Sequence, residues 1–303
     1  MPATSSTDRS NHVGSATGRW ELPRALGAVL VTPPPANRAV TAALGLPAMS
    51  GVDHTDAFVL TAPPHAAIHL GPEGQLGGEG LDRVAGFWRA LGLVAPADAD
   101  HLGVLLMLYA ELGEAETAAS SARAQAQLQR ARVALLHEHL WSWAPGYLTA
   151  VGGLGIPSVS AWAELTSATL RQEVTASAPL ELLPLALRSA PAAVQASESF
   201  NDVLDAVVTP LRSGVILTRR DLRAAAAALG VGYRHGERRY TLKAMLEQDK
   251  PATLHWLAGQ ARAWSARHRV GACGWPCDPS AWWAARADAA ATAVNAMADA
   301  ASN

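Results

Sequence analysis

Apolar residues recur at helical spacing along most of the chain. From residue 81 onward they return every three or four positions, the period that places side chains on one face of an α-helix. Alanine and leucine, which favour helices, dominate the composition, and no long run of β-branched residues occurs. The pattern predicts helices over about 81–91, 102–112, 117–147, 158–176, 219–229, 239–247, 251–267 and 281–301. The sequence therefore predicts an all-α fold.

The first 80 residues are less regular than the rest. Residues 1–19 are polar, lack the apolar run of a secretory signal and predict a disordered tail. Residues 20–46 predict two short helices separated by the prolines at 33–35, because proline interrupts a helix. Residues 47–80 hold most of the early Pro and Gly, and 61–80 show no helical period, so this region is expected to consist mainly of loops.

A stretch rich in Ala, Pro and Ser, residues 177–198, predicts a boundary between two units. We expect a larger N-terminal helical unit over 20–180 and a smaller C-terminal helical unit over 195–270. Residues 271–303 then predict a turn followed by an alanine-rich helix that is only loosely docked.

Capping residues mark the start of two of these helices. Thr218 is a strong N-cap candidate, with Asp221 placed to reach back to it and Gly230 placed to end the helix. Asp98 or Asp100 is placed to cap the helix that begins near residue 102, because an Asp oxygen accepts the free amide protons of a first turn.

Composition limits the compartment. The chain has 303 residues, half of them apolar, which is enough to bury a substantial core. Cys273 and Cys277 are its only cysteines, so a disulfide framework is excluded and a reducing compartment fits. No stretch of about 18 uninterrupted apolar residues occurs, so no membrane span is expected. These observations favour a cytoplasmic protein.

Charge is segregated along the chain. Residues 53–116 contain ten acidic residues against two basic ones, whereas residues 212–250 contain nine basic residues against four acidic ones. A field of one sign attracts partners of the opposite sign. The acidic segment therefore suits a cationic peptide, and the basic segment suits an acidic peptide or nucleic acid. Both segments are equally compatible with ordinary solvated helix faces.

Short motifs in the acidic segment resemble one protein family. They are the run from Thr61 to Ala66, Gly77-Gly78-Glu79, Phe87-Trp88-Arg89, Asp100-His101-Leu102-Gly103, and His139-Leu140 with Trp143. In order and spacing they are similar to the TorD/DmsD/NarJ chaperones. The similarity is clear over about 54–150 and weaker over 195–270.

The resemblance implies a TorD-like helical fold and a chaperone function rather than an enzymatic one. Such proteins bind the twin-arginine leader of a molybdoenzyme of the DMSO reductase type, or its apo form, and hold it for cofactor insertion before export. The expected partners are therefore a leader peptide and an apo-molybdoenzyme catalytic subunit. A homodimer is left open.

The resemblance also implies a set of leader-binding residues. Asp100 and His101 match the Asp-His signature that the family associates with leader recognition. Glu79 is a further candidate guanidinium acceptor, because carboxylates bind arginine through two hydrogen bonds. His65, Trp88 and Asp98 complete the set. The alternative is that Asp100 is only an N-cap and Glu79 only a solvated loop carboxylate.

Two positions depart from the family pattern. Relatives carry a Glu and a Pro ahead of the Asp-His pair, where this chain has Ala97 and Asp98. Many relatives carry an aromatic residue after the Pro-Pro, where this chain has His65. Both differences suggest a divergent client.

The alternative hypothesis is a nucleic-acid-binding protein that uses the basic segment 212–250. Residues 217–246 look somewhat like a helix-turn-helix, with Arg234, Arg238, Arg239 and Lys243 facing phosphates. The acidic first half of the chain argues against this hypothesis, because it would repel a duplex. We therefore expect no nucleic-acid partner.

No pattern predicts a catalytic set, a metal site or a cofactor. The chain has no nucleophile elbow, Walker loop or dinucleotide fingerprint. His54, His65, His69 and His101 follow no metal-binding spacing. Cys273 and Cys277 with His268 supply three ligands where a structural zinc site needs four, so reduced thiols in a turn are favoured.

Overall fold

The computed structural model describes residues 10–71, 74–178, 181–272, 274–275 and 277–302, and in these ranges it is all-α, as predicted. The first nine helices are α1 Ser10–Val31, α2 Arg38–Ala43, α3 Gly51–Thr55, α4 Ala66–Leu70, α5 Gly78–Ala90, α6 Leu102–Ala118, α7 Ala122–Ala134, α8 Ala144–Gly152 and α9 Pro157–Ala176. Two π-helical segments, Asp56–Thr61 and Leu135–Trp141, follow α3 and α7. The remaining helices are α10 Leu185–Arg188, α11 Phe200–Val207, α12 Pro210–Ser213, α13 Arg219–Leu229, α14 Arg238–Gln248, α15 Lys250–Val270 and α16 Pro279–Ser302.

Helix α6 forms the centre of the first hydrophobic core and crosses α1 at very short range. A Cβ added at Gly103 would lie 2.7 Å from the carbonyl oxygen of Gly27, and one added at Gly27 would lie 2.5 Å from the carbonyl oxygen of Gly103. Ten residues further along α6, the Trp20 ring occupies the space that a side chain at Gly113 would need. Glycine is therefore required on α6 because the two backbones touch.

A buried polar network ties α6 to α7 and α9. The Tyr109 hydroxyl donates to Glu173 Oε2 at 2.6 Å and accepts from Arg132 Nη1 at 2.8 Å. Arg132 also donates to Glu116 at 2.7 Å. Burial, followed by the bond to Glu173, raises the pKa of Tyr109 well above its usual value. Tyr109, Arg132 and Glu173 thus each have a partner within the network, which is the condition for such a network to be stable.

A second hydrophobic core is formed by residues from 194 onward, on α11 and α13 to α16. Helix α16 lies along α15 and buries Ala287, Ala290 and Val294. Its first turns reach the first core as well, where Trp283 Nε1 donates to the Ser142 carbonyl at 2.8 Å. The loose docking expected for the alanine-rich helix is therefore wrong, because its small side chains allow close packing. The division into two units stays a prediction.

Three further expectations differ from the structure. The expected tail over 1–19 is helical from Ser10 onward, while residues 1–9 lie outside the described ranges. The helix expected over 117–147 is interrupted, because Ser121 caps the new helix α7 and accepts from the Ala124 amide at 3.2 Å. A further helix, α8, begins at Ala144 near the end of the expected range, and Pro145 lies in its first turn, where the missing N–H is harmless.

The caps of α13 are as predicted. Thr218 accepts from the Asp221 amide at 3.2 Å, and the Asp221 carboxylate accepts from the Thr218 amide at 2.7 Å. Gly230 ends the helix in the left-handed conformation. The N-cap of α6, in contrast, is His101 and neither Asp98 nor Asp100.

Candidate functional site

Asp100 lies in a buried contact between the start of α6 and the segment before α4. Its Oδ2 accepts from the Ala67 amide, in the first turn of α4, at 2.8 Å, and its Oδ1 lies 3.2 Å from His65 Nδ1. Burial alone would raise the pKa of the Asp100 carboxyl, but the hydrogen bonds from His65 and Ala67 outweigh it and lower the pKa. Asp100 is thus an anion at the N-terminus of another helix, which is a favourable position.

Backbone bonds reinforce the same contact. The Ala66 amide donates to the Asp100 carbonyl at 3.1 Å, and the Leu102 amide donates to the Pro64 carbonyl at 2.8 Å. His65 and His101 thereby form an isolated antiparallel bridge. We call His65, Asp100 and His101 the latch, because they join two segments that are 35 residues apart in sequence.

His101 caps α6 through its side chain. Its Nδ1 accepts from the Gly103 amide at 3.1 Å, and its ring packs edge-on against His65 with 5.0 Å between ring centroids. Burial, and then the neighbouring His65, lower the pKa of His101 to about 4. The ring is therefore neutral near pH 7, which leaves Nδ1 free to accept the amide proton.

Trp88 lies beside the latch, on α5. Its side chain is half-buried, and Nε1 donates to the Ala99 carbonyl at 3.3 Å. This bond fixes α5 against the residue that precedes Asp100. Four of the six predicted leader-binding residues, His65, Trp88, Asp100 and His101, are thus brought together.

Glu79 and Asp98 are the two exposed members of the predicted set. Glu79 pairs with Arg83 at 2.8 Å, one turn further along α5. Asp98 lies on the link between α5 and α6, where its carbonyl accepts from the His101 amide at 3.0 Å. Neither carboxylate belongs to the latch, and both are open to solvent.

A groove of about 780 Å³ lies between α5, α6 and α7. Phe87 and Leu91 line it from the end of α5, Leu108 and Leu112 from α6, and Leu128 from α7. Its volume is within the range of roughly 300–1,000 Å³ that is typical of ligand sites in proteins. The groove offers an apolar surface that the first core does not cover.

Two charged residues border this groove. Glu111 is exposed on α6 and forms no ion pair among the described residues, whereas its neighbours Glu114 and Glu116 pair with Arg24 and Arg132. Arg130 is exposed on α7. The groove therefore carries one accessible carboxylate and one accessible guanidinium beside its apolar wall.

The acidic segment 53–116 does not form one continuous acidic face. Asp100, Glu79, Glu114 and Glu116 are each engaged with a histidine or an arginine. Asp53 and Asp56 border a separate hollow of about 490 Å³, together with the exposed side chains of Val52 and Leu60. Glu73 lies outside the described residues.

The sequence pattern placed Leu112 and Leu128 within predicted helices, over 102–112 and 117–147, and did not identify the groove. One signal was present: α7 buries only Arg132, and the link after α5 exposes Leu93 and Val94, at 41 % and 91 %. A helix with few buried positions next to exposed aliphatic side chains indicates an incompletely covered surface.

The basic segment differs from a helix-turn-helix. The connection between α13 and α14 covers residues 230–237, whereas a helix-turn-helix turn usually has about three or four residues. Arg238 points inward and donates to the carbonyls of Leu217 and Gly74, both at 3.2 Å. Arg239 pairs with Asp205. Two of the four side chains expected to face phosphates are therefore engaged within the protein.

The described ranges contain no group of three or more His, Cys, Asp or Glu residues that could hold a metal ion. Cys273 is outside these ranges, and the Cys277 Sγ lies 3.1 Å from the Glu181 carbonyl oxygen. Within the same described part of the chain, no helix has both the length and the apolar character needed to cross a membrane.

The latch and the groove both lie within the segment of the chain that matches a known protein family. No curated protein sequence matches the chain at a significant level. The family model described as nitrate reductase delta subunit matches residues 49–148, which include the latch and all of α5, α6 and α7. This family consists of chaperones for redox-enzyme maturation. Over about a third of its length, the chain is thus similar to the nitrate reductase delta subunit family, which confirms the resemblance found in the sequence.

Proposed function

We propose that this protein is a chaperone that binds the twin-arginine leader of a molybdoenzyme of the DMSO reductase type, before cofactor insertion and export. The observation that carries the proposal is the groove between α5, α6 and α7, because it lies entirely within the family segment 49–148. A leader combines two adjacent arginines with an apolar stretch, and this groove combines a carboxylate with an apolar wall.

In this proposal the apolar stretch of the leader occupies the groove. Leu108 and Leu112 are buried and form its floor, while Leu91, Leu93 and Leu128 are partly exposed along its rim. Covering these rim residues removes apolar surface from water, which favours binding by about 25 cal/mol for each Å² buried. An amphipathic helix laid along such a groove is a recurrent mode of peptide recognition.

Glu111 is the proposed acceptor for one arginine of the leader. It is the exposed carboxylate on the groove wall, and it forms no ion pair among the described residues. A guanidinium donates two parallel hydrogen bonds to a carboxylate, which lysine does not reproduce. Asp98, exposed on the adjoining link, is the candidate for the second arginine. Glu79 lies eight residues before Phe87, or about 12 Å along α5, and serves only if the leader extends that far.

The latch has a positioning role in this proposal. Asp100 is 2 % exposed, and both of its oxygens contact groups of the protein, so a leader arginine would have to displace those contacts. By holding the start of α6 against α4, the latch and Trp88 fix the helix that supplies the groove floor. A substitution at Asp100 therefore acts on binding through the structure.

A peptide-binding measurement tests the proposal. A fluorescent peptide with two arginines followed by an apolar stretch is titrated with the full chain, and its Lys-Lys counterpart is the ligand control. We expect Glu111→Gln to weaken binding of the arginine peptide by about tenfold or more, because a charge-assisted bond contributes about 1.5–3 kcal/mol. Arg130→Ala should strengthen binding, since it removes a like charge beside the site.

The matched control is Glu164→Gln, which removes an exposed carboxylate from α9. It should leave the affinity within about twofold, as expected for a charge outside the site. Equal affinity for the Arg-Arg and Lys-Lys peptides, or equal loss in the Glu111 and Glu164 variants, would contradict the assignment of Glu111. Absence of binding by either peptide at high protein concentration would contradict leader recognition itself.

A further inference from the structure

A cluster of cationic and aromatic side chains lies on the exposed surface of α13 and its connection to α14. Arg219 and Arg223 are exposed one turn apart on α13. The Arg223 guanidinium stacks on the Tyr233 ring at 5.3 Å, and Tyr233 contacts His235 edge-on at 4.9 Å. Together with the exposed Arg234, these five residues form what we call the loop cluster. None of them belongs to the groove.

The connection that carries the loop cluster has a fixed shape. Gln248 holds it from α14, with Oε1 accepting from the Gly232 amide at 2.6 Å and Nε2 donating to the Gly232 carbonyl at 3.0 Å. Thr241 donates to the Arg234 carbonyl at 2.8 Å. Because these bonds restrain the backbone, the loop cluster is ordered before any partner arrives, which lowers the entropic cost of binding.

The positive charge of the loop cluster is not neutralised locally. Among the described residues, no carboxylate pairs with Arg219, Arg223 or Arg234. Asp221 is engaged with Thr218 and Asp205 with Arg239, while Glu237, three residues after Arg234, is exposed and forms no ion pair among the described residues. Among the described residues, an anionic partner would therefore meet three guanidinium groups that are not already paired with a carboxylate.

Arg238 adds a second reason for an anion to bind nearby. It is half-buried, and among the bonds that the described residues form it donates only to two backbone carbonyls. Burial, and then repulsion from Arg219, lower the pKa of Arg238. An anion next to Arg219 would offset that repulsion, so the protein's own charge distribution favours occupancy.

The chemistry of the loop cluster favours carboxylates over a nucleic-acid backbone. Arg238 and Arg239 are engaged within the protein, which leaves the guanidinium groups of Arg219, Arg223 and Arg234 as the exposed cations of the loop cluster. Site-specific duplex binders usually neutralise roughly six to ten phosphates, which is more than this surface offers. Three arginine forks match two or three carboxylates of one short peptide.

We propose that the loop cluster is a docking site for a short acidic polypeptide segment, whose carboxylates bind Arg219, Arg223 and Arg234. Tyr233 supplies a flat apolar contact for the partner and holds the Arg223 fork in place. The site is separate from the leader groove, so the protein can hold a cationic leader and an acidic segment of a second protein at the same time.

Titration with a defined acidic peptide tests the proposal. The probe is a fluorescein-labelled peptide of alternating Asp and Glu with one central Trp, and its Asn/Gln counterpart is the neutral control. With the full chain at physiological salt, we expect the acidic peptide to bind and the neutral one to bind at least about tenfold more weakly. Arg223→Glu and Arg234→Glu should each lower the affinity by about tenfold or more.

Two further variants separate the site from general charge effects. Arg262→Glu makes the same charge change at an exposed position on α15 and should alter the affinity by less than about twofold. Arg223→Lys keeps the charge but loses the stacked fork, so it should fall between wild type and Arg223→Glu. The Arg223→Glu variant should still bind the arginine leader peptide, which makes failure of this proposal distinguishable from failure of the leader site.

Three results would overturn the proposal. The first is equal binding of the acidic and neutral peptides. The second is an equal loss of affinity in the Arg262 and Arg223 variants. The third is tighter binding of a mixed-sequence DNA duplex than of the acidic peptide at the same salt, which would make nucleic acid the partner.

Discussion

Helix α6 has apolar or small residues on two sides, but one side is closely packed against α1 and the other lines an open groove. On the side facing α1, Gly103 lets two backbones touch and no surface is left exposed. On the side facing the groove, Leu108 and Leu112 lie at the bottom of an opening that α5 and α7 only partly close. Apolar residues therefore do not by themselves show which side is core. The packing of the neighbouring helix determines whether a side becomes core. Small residues let that helix pack closely, whereas a side that is only partly covered leaves an apolar surface for a partner.

The latch lies at the N-terminal end of α6, and like the side that faces α1 it is closely packed within the protein. It fixes the first turn of α6 through hydrogen bonds between groups of the protein that are mostly buried. We therefore expect substitutions on the side facing α1 to lower the free energy of unfolding strongly and to affect peptide binding little. Substitutions at the groove should do the opposite.

The largest effect is expected for Gly103→Val. A side chain there would meet the Gly27 carbonyl at 2.7 Å and the Val31 side chain at 2.8 Å, so α1 must move away. We expect a loss of about 4 kcal/mol, at the upper end for an overpacked core. Urea unfolding followed by circular dichroism measures it. Gly86→Val on α5 is the control, because nothing closer than 3.9 Å meets a side chain there, and it should change stability by less than about 0.5 kcal/mol.

A loss of nearly the same size should accompany acidification. Burial lowers the pKa of His101 to about 4, so below pH 6.5 the unfolded chain takes up a proton that the folded chain does not. The free energy of unfolding should therefore fall as the pH drops from about 6.5 to 4, by roughly 3 kcal/mol for this residue. His139, whose pKa burial also lowers to about 4, adds to the same trend.

His101→Asn isolates the contribution of the latch to this pH dependence. Asparagine caps a helix as well as the histidine does but does not titrate. The variant should keep most of its stability at pH 7 and lose less of it at pH 4.5. His255→Asn, at an exposed position on α15, should show the wild-type slope. An unchanged slope in the His101 variant would refute the buried, neutral state of that ring.

Asp100→Asn should cost about 2 kcal/mol at pH 7, because it replaces a charged acceptor of the Ala67 amide and the His65 ring. The pKa of Asp100 is lowered in the folded state, so its stabilisation is present above about pH 4 and is lost as the pH falls further. The difference between variant and wild type should accordingly shrink near pH 3. In contrast to Glu111→Gln, this variant should bind the Lys-Lys and Arg-Arg peptides in the wild-type ratio. A changed ratio would show that Asp100 contacts the leader directly.

Local signals explain what could be predicted from the sequence. The capping box of Thr218 and Asp221 involves residues three apart, so its geometry follows from the helix alone. The role of Asp100 could not be predicted in this way, since the amide that it accepts from belongs to Ala67, 33 residues earlier. Its nearness to α6 suggested a cap for that helix, and the cap is His101. The groove depends on three helices meeting and has no signature within any one of them.

The family motifs were informative for a related reason. Pro64 and His65 belong to one quoted motif and Asp100 and His101 to another, and the structure brings the two motifs together in one contact that is mainly buried. A motif of this kind identifies the fold of the segment more directly than it identifies the residues that touch a partner. The accessible side chains of the groove, such as Leu93 and Glu111, lie outside the quoted motifs.

The smallest effect on stability is expected at the groove rim. Leu128→Ser removes a half-exposed side chain on α7 and should change the free energy of unfolding by less than about 1 kcal/mol. The variant should nevertheless bind the arginine leader peptide with lower affinity, because the lost side chain is part of the surface that the peptide covers. Leu182→Ser, at a position 61 % exposed and outside the groove, is the matched control and should change neither property. A Leu128 variant that unfolds like Gly103→Val would make the groove rim part of the core, whereas one that binds like wild type would leave the groove without a role in recognition. Only unchanged stability together with lower peptide affinity fits the proposal that the groove beside α6 is a binding surface, which a partner covers and which is not part of the core.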